Sequence, residues 1–397
     1  MLVQTKNITD YSVRLLVFIC LGHFCVDFML GIWPVFKTMA GLDIALAGLL
    51  AGGCVVLGEG LQVFFGGLSD RGYQRALLFW GIIFSVGAAF FSYNDSYFAF
   101  LVLFLMTCLG SAAFHPTAAS LLSGLEGNKR STVMGFFTAS GMIGLGISQM
   151  LFSWTYESCD GSTAYLALPS ILLSVAIATI FRGNPAPKLS AAKEHSLSLF
   201  VRFFKVKALR ALYLSMLGNQ IILWSLVFLL PDFLKERSYA PWIVFGGGHL
   251  SLMLGATIGP PVLGHLADKT SSRQVIVLSS LSTLLLFYLF LLPVELSSEL
   301  LFVALFFLGV TMGSVPPLIW ALGGQMVPQY RGSISAFLMG FVWIFSEGIG
   351  LGFSGFFASL FSADSAAWAL ALMGSIQLIS FTASMQIPKH LEEPIFA

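Results

Sequence analysis

A short charged phrase occurs twice in this chain, and the two copies stand half a chain apart. Gly66-Gly67-Leu68-Ser69-Asp70-Arg71 is followed by Arg75, and Gly264-His265-Leu266-Ala267-Asp268-Lys269 by Arg273. The shared pattern is G-x-L-[S/A]-D-[R/K]-x-x-x-R. Its offset is 198 residues (264 − 66), half of a 397-residue chain. Only 10% of the residues are charged and 57% are hydrophobic. Soluble domains carry about 25% charged residues, so charge this scarce cannot cover a surface that faces water. A charged phrase duplicated at the half-length of so apolar a chain predicts two homologous membrane bundles, each with the same cytoplasmic hinge.

Crossing about 30 Å of hydrocarbon takes about 20 residues as a helix. Twelve apolar runs reach that length, at about 13–36, 44–68, 76–94, 97–123, 131–155, 163–181, 211–233, 242–266, 274–293, 299–324, 333–358 and 365–387. They are numbered here as spans 1 to 12. The longest polar interruption, Arg182 to Arg210, carries Pro185, Pro187 and scattered Lys and Arg, with an amphipathic stretch at Leu197–Leu209. The expected organisation is a six-helix bundle over 1–182, a cytoplasmic linker over 183–210 and a second six-helix bundle over 211–397.

Basic residues set the orientation. With a cytoplasmic N-terminus, only Lys37, Lys235 and Arg237 face outward, which leaves 17 of the 20 Lys and Arg inside. The positive-inside rule therefore predicts cytoplasmic termini and a cytoplasmic central linker. Matched fragments extend the repeat. Leu21-Gly22-His23 with Pro34 and Lys37 parallels Leu217-Gly218-Asn219 with Pro231 and Lys235, and Arg130-Ser131 opening span 5 parallels Arg331-Gly332-Ser333 opening span 11. The first apolar run holds His23 and Asp27 and lacks a cleavable-signal pattern, so it reads as a retained span. A net charge of +1 supplies no general field for nucleic acid. The 5 cysteines show no CxxC or Cys/His spacing, so neither a disulfide framework nor a metal is expected.

Asp70 and Asp268 stand just past the ends of spans 2 and 8. A carboxylate there can cap a neighbouring helix or pair with an arginine. Candidate partners are Arg71, Arg75 and Arg130 in the first half, and Lys269, Arg273 and Arg331 in the second. With Gly66 and Gly264 these residues form the candidate cytoplasmic gate; the alternative is that they are ordinary loop charges. The duplicated phrase, between spans 2 and 3 and again between 8 and 9, resembles the signature loop of the major facilitator superfamily. That resemblance covers the whole chain. It implies an all-α integral membrane fold of twelve helices in two pseudo-symmetric bundles, with a cavity lined by spans 1, 4, 7 and 10 and alternating access.

Ionisable groups in a bilayer are expensive, so each is a functional candidate. They are His23, Asp27, Glu59, His115, His249 and Glu347, and no Lys or Arg lies deep in any run. His23 and Asp27 are one turn apart on one helix face. An imidazole beside a carboxylate can store or pass a proton; the alternative is a buried pair that fixes packing. His115 precedes Pro116, which removes a backbone donor from span 4. His115 is thus a second proton candidate, or the partner of a kinked backbone. Glu59 and Glu347 are open to proton roles or to structural hydrogen bonding. Gln62, Asn219, Gln220, Trp224 and Trp320 are candidate substrate contacts. The pairs Gly48/Gly52 and Gly348/Gly352 have the spacing of helix-packing surfaces.

Gly22-His23 with Asp27, Gly31 and Pro34, together with Gly110-Ser111 and Phe114-His115-Pro116, is similar to the fosmidomycin resistance branch of that superfamily. That branch implies proton-driven drug efflux by antiport, with His23, Asp27 and His115 at the cavity. Two departures stand beside these matches: Gln62 is followed by Val63 instead of proline, and span 5 lacks a Gly-Pro pair. With no deep cation to meet an anion, the expected cargo is a small neutral, cationic or amphipathic solute. Export coupled to protons across an inner or plasma membrane is the leading expectation, with symport or uniport of a nutrient as the alternative and a transporter-like receptor more remote. No catalysis is expected, since G-x-S-x-G, HExxH and phosphate-cradling loops are absent. The proton gradient replaces any cofactor. Expected partners are the solute, protons and lipid, and the chain is expected to act as a monomer.

Overall fold

The computed structural model describes residues 2–123, 130–180 and 197–389. Among these residues every regular element is helical. Ten helical stretches are long and apolar enough to cross a membrane. One of them, Ile44–Tyr93, is 50 residues long, which at 1.5 Å per residue gives about 75 Å, far more than one crossing needs. It breaks at Gly72, whose φ of 97° favours glycine, and so carries spans 2 and 3. A shorter apolar helix, Thr163–Thr179, supplies span 6 and brings the total to twelve.

The chain divides into two compact units. The first comprises Met1–Phe36 and Leu57–Ala191; the second comprises Lys37–Val56 and Ala192–Ala397. A stretch running from the end of span 1 into span 2 thus groups with the later helices, which a simple cut between spans 6 and 7 does not anticipate.

In the first unit, glycines bring helices into backbone contact. A Cβ on Gly144 of span 5 would lie 3.0 Å from the Phe24 Cα of span 1, and one on Gly81 of span 3 would lie 2.9 Å from the Gly110 carbonyl of span 4. Apolar side chains are no better off in a protein than in lipid, so close packing of small residues supplies the cohesion. At one end, Trp33 is wholly buried, stacked on Phe104 at 5.4 Å and edge-on to Phe91 at 5.2 Å. Trp33 is therefore a core residue and not an interface anchor.

The second unit uses the same device more heavily. Gly255 and Gly259 of span 8 meet the backbone of span 10 at Phe306 and Val310. The two glycine stripes expected from spacing face each other. A Cβ on Gly48 would sit 3.0 Å from the Gly355 Cα, and one on Gly52 would sit 3.1 Å from the Gly352 nitrogen. The amphipathic stretch forms the helix Leu197–Lys205, and its Leu199 and Phe203 are buried with Phe337 and Tyr330.

One basic residue corrects the sequence reading. Lys37 was placed just past span 1, as an outer-loop charge, but the helix Ile32–Met39 continues through it and leaves it 2% exposed. Its Nζ pairs with the Asp232 carboxylate of span 7, donates to Thr38 Oγ1 at 3.0 Å and lies 4.5 Å from the centroid of the Phe228 ring. Thr38 Oγ1 donates to the other Asp232 oxygen at 2.9 Å. A buried ammonium persists only with such partners.

The hinge phrases also differ in use from the expectation. Arg75 donates from Nη2 to the Ala178 carbonyl at the end of span 6. Arg273 donates to the Ile387 and Met385 carbonyls at the end of span 12, at 2.7 and 2.8 Å. The last carbonyls of a helix lack intrahelical donors, and a guanidinium satisfies them. Among the described residues no ion pair involves Asp70 or Asp268. Arg71 is exposed, and the side chains of Arg130 and Arg331 lie outside the described set, so their gate roles remain expectations. Gly66 has room around it and Gly264 has open space.

Candidate functional site

Span 1 presents His23 and Asp27 on one face, as their four-residue spacing requires. Span 4 presents His115 from the helix Tyr97–Ser123, which continues through Pro116. The three side chains meet. Asp27 Oδ2 is 3.2 Å from His23 Nε2, and Asp27 Oδ1 is 3.2 Å from His115 Nε2. One carboxylate thus lies between two imidazoles, whose ring centroids are 4.8 Å apart and nearly perpendicular. His23 is 7% exposed; Asp27 and His115 are each 17% exposed by side chain. Span 5 closes the site with Gly141, where any Cβ would collide with both His23 and Asp27.

The hydrogen bonds restrict where protons can sit. His23 Nδ1 is 2.7 Å from the Phe137 carbonyl of span 5, and its ring stacks on the Phe137 ring at 3.9 Å. A carbonyl only accepts, so Nδ1 carries hydrogen. His23 Nε2 then faces Asp27 either as the second N–H of an imidazolium or as a lone pair against a protonated carboxyl. In both cases the contact holds one proton. His115 is less restricted. Its Nδ1 is 2.9 Å from Ser111 Oγ and 3.0 Å from the Ser111 carbonyl. A hydroxyl can donate or accept, so either tautomer of His115 is satisfied. The ligating atoms of His23, Asp27 and His115 all lie within 4.8 Å of one another, close enough to share one cation. That cation can be a proton or a metal ion.

Glu59 is buried and ends the helix Ile44–Glu59 at a break in span 2. It accepts a hydrogen bond from Gln62 Nε2, and its carboxylate also faces Ser111 and His115. Glu59 and Gln62 therefore stand beside the histidine–aspartate cluster. Ser111 was quoted in the sequence only as part of a family match. Its spacing of four residues from His115 was the available signal.

The remaining candidates lie in the second unit. Asn219 is wholly buried and donates from Nδ2 to the Met312 carbonyl at 2.9 Å, while its Oδ1 has no partner. Gln220 is 4% exposed. Trp224 and Trp320 both bury an indole N–H that has no acceptor, and Trp320 meets Trp343 edge-on at 6.0 Å. Glu347 is half-buried in the helix Phe341–Ala358. Sequence reasoning also missed Gln149 of span 5, which is fully buried with both amide atoms unpartnered.

The major facilitator superfamily profile matches residues 18–346. The chain belongs to the major facilitator superfamily. Among solved structures, this superfamily member is similar to a bacterial homologue of the human lysosomal transporter Spinster in an inward-facing, unoccupied conformation. The TM-score is 0.76 at 16% identity, over 96% of this chain and 98% of that one. It is also similar to a variant of the nucleoside transporter NupG, with a TM-score of 0.74 at 13% identity, over 95% and 99% of the two chains. No curated protein matches the chain by sequence. The chain is an integral membrane protein with the major facilitator fold, and its family is one of transporters.

Proposed function

We propose that this protein is a proton-coupled secondary transporter of a small neutral, cationic or amphipathic solute, working by alternating access between its 1–182 and 211–397 bundles. The observation that carries the reading is the Asp27 carboxylate held between His23 and His115. With one proton kept at the His23–Asp27 contact, a further proton can be taken up and released at His115, which makes the cluster a proton store beside a solute path. The unpartnered groups of Asn219, Trp224 and Trp320 supply one acceptor and two donors, which suit a polar but uncharged contact surface. Among the described residues the one deeply buried lysine, Lys37, is already paired with Asp232, so the chemistry favours cargo without several negative charges.

The charge distribution supports an inner or plasma membrane location with cytoplasmic termini. The span 1 and span 4 motifs support export of the fosmidomycin resistance kind. Purified protein in liposomes loaded with a pH-sensitive dye tests the proposal, with ethidium, norfloxacin and uridine as probes. Proton movement on probe addition that is lost in Asp27→Asn supports it. Probe transport at full rate in Asp27→Asn refutes coupling through the cluster.

A further inference from the structure

The helix Leu197–Lys205 presents three different sectors, since successive side chains turn by about 100°. Its inner sector is fixed in the second unit. Leu199 and Phe203 are buried there, and Phe200 packs on Phe337 and Phe341 at 5.7 and 5.6 Å. The next sector carries Val201 and Phe204, about 60° apart on the helix, which remain 52% and 40% exposed. Beyond them come Lys205 and Arg202, both exposed. The helix stops at Val206, whose φ of −78° and ψ of 119° are extended, and span 7 starts at Lys207, again exposed. Phe204 meets Tyr213 of span 7 edge-on at 5.5 Å. The outer face is therefore held beside the entry of a membrane span. Residues 197–210 contain four basic side chains and no acidic one. Arg210 is occupied at the helix end, where it donates to the Phe204 carbonyl at 3.4 Å. Lys205 and Lys207 make no ion pair among the described residues.

We infer that this helix is an interfacial binding site for anionic phospholipid headgroups. Val201 and Phe204 sit in the acyl boundary, and Lys205 and Lys207 meet the phosphates. Open apolar side chains beside cations are the pattern of a helix that lies in the plane of a membrane surface. Long lysine stems let the ammonium groups reach headgroups while the apolar side chains stay in hydrocarbon. The unbalanced positive charge selects an anionic surface over a zwitterionic one. Neither proton coupling nor the cargo enters this inference, so its failure leaves the proposed function standing.

Amide hydrogen exchange of the full-length protein, read by mass spectrometry on peptides covering 197–210, tests it without a substrate. The protein is placed in nanodiscs of phosphatidylcholine alone, or of phosphatidylcholine and phosphatidylglycerol at about three to one. Phosphatidylglycerol should slow exchange of these peptides roughly tenfold, and high salt should weaken the effect. Lys205→Gln with Lys207→Gln should abolish the difference between the two discs, while exchange in the membrane spans stays as in wild type and shows that the fold is kept. Val201→Ser is nearly neutral in helix propensity. It should speed exchange about threefold in both discs, beyond the intrinsic difference of the two residues. Exchange that does not depend on lipid composition in wild type overturns the site, because another part of the chain then covers the face. A difference that survives the double lysine change overturns it as well, and unchanged exchange in Val201→Ser overturns the seating in the acyl boundary. Equal slowing by free glycerol phosphate in phosphatidylcholine discs would mean a site for soluble anions, and it too overturns the inference.

Discussion

The two units solve the problem of polar groups in lipid in opposite ways. The first gathers its ionisable side chains into one connected cluster, His23, Asp27, His115 and Glu59, in which each member has partners. In the second, a buried charge, Lys37, is paired singly with Asp232, and the buried polar groups left without partners are neutral: Asn219 Oδ1, Trp224 Nε1 and Trp320 Nε1. The shared ancestry implied by the duplicated phrase makes the contrast informative. His23 and Asn219 occupy corresponding places in spans 1 and 7, and one became the partner of a carboxylate while the other became an amide bonded to a backbone carbonyl. A charged group must be compensated within its own unit before any ligand arrives. A neutral amide or indole can wait unpartnered at a cost of about 1–3 kcal/mol. On the proposed function, the first unit holds protons and the second holds solute.

Asp27→Asn should break this division most severely. Proton movement in proteoliposomes should drop by about a hundredfold, the contribution of a positioned acid–base group. Asn219→Ala in the same assay should leave proton movement in place while solute affinity changes. Equal losses in both would erase the contrast. Next in size is the buried ion pair of the second unit. Lys37→Ala strands the Asp232 carboxylate and should cost about 3–5 kcal/mol in thermal unfolding in detergent. The double change Lys37→Met with Asp232→Leu should recover most of that, and no recovery would mean that Lys37 acts beyond its pair.

Gly141→Ala pushes a methyl group into the His23–Asp27 contact. It should reduce proton movement roughly tenfold, the equivalent of about 1.4 kcal/mol, with the chain still folded by gel filtration. Trp224→Phe and Trp320→Phe remove N–H groups that have no acceptor. Stability should hold within about 0.5 kcal/mol, while solute affinity falls by about fivefold wherever the N–H meets solute. The smallest effect is expected from chelation. Treatment with EDTA should leave proton movement unchanged, and a loss restored by Zn²⁺ would show that the three ligating atoms share a metal ion instead of protons.

Much of the fold was legible because it is written in periodic features. The duplicated phrase gave two bundles, run lengths gave twelve spans, and the Gly48/Gly52 and Gly348/Gly352 spacings marked two surfaces that meet. The half-cluster on span 1 was legible too, since His23 and Asp27 are neighbours by helix geometry alone. What was hidden depends on how helices pack side by side. His115 was a separate candidate until span 4 brought it to the second oxygen of Asp27. Lys37 reads as an outer charge just past span 1, and its 195-residue separation from Asp232 gives no sign of pairing. Ser111 carries no charge, and only its four-residue spacing from His115 marks it in the sequence.

Arg75 and Arg273 have a consequence for how the protein is made. Each arginine lies in the first turn of the third span of its half, and each takes its carbonyl partners from the far end of the sixth. During synthesis the donor is therefore exposed for about four helices before its acceptor leaves the ribosome. When the acceptor comes, the last helix is tied to the third, across two intervening crossings. Each half carries its own clasp, so the earlier half need not wait for the later one to be finished. A gene encoding one such self-fastening half is the kind of unit that duplication can double without redesign.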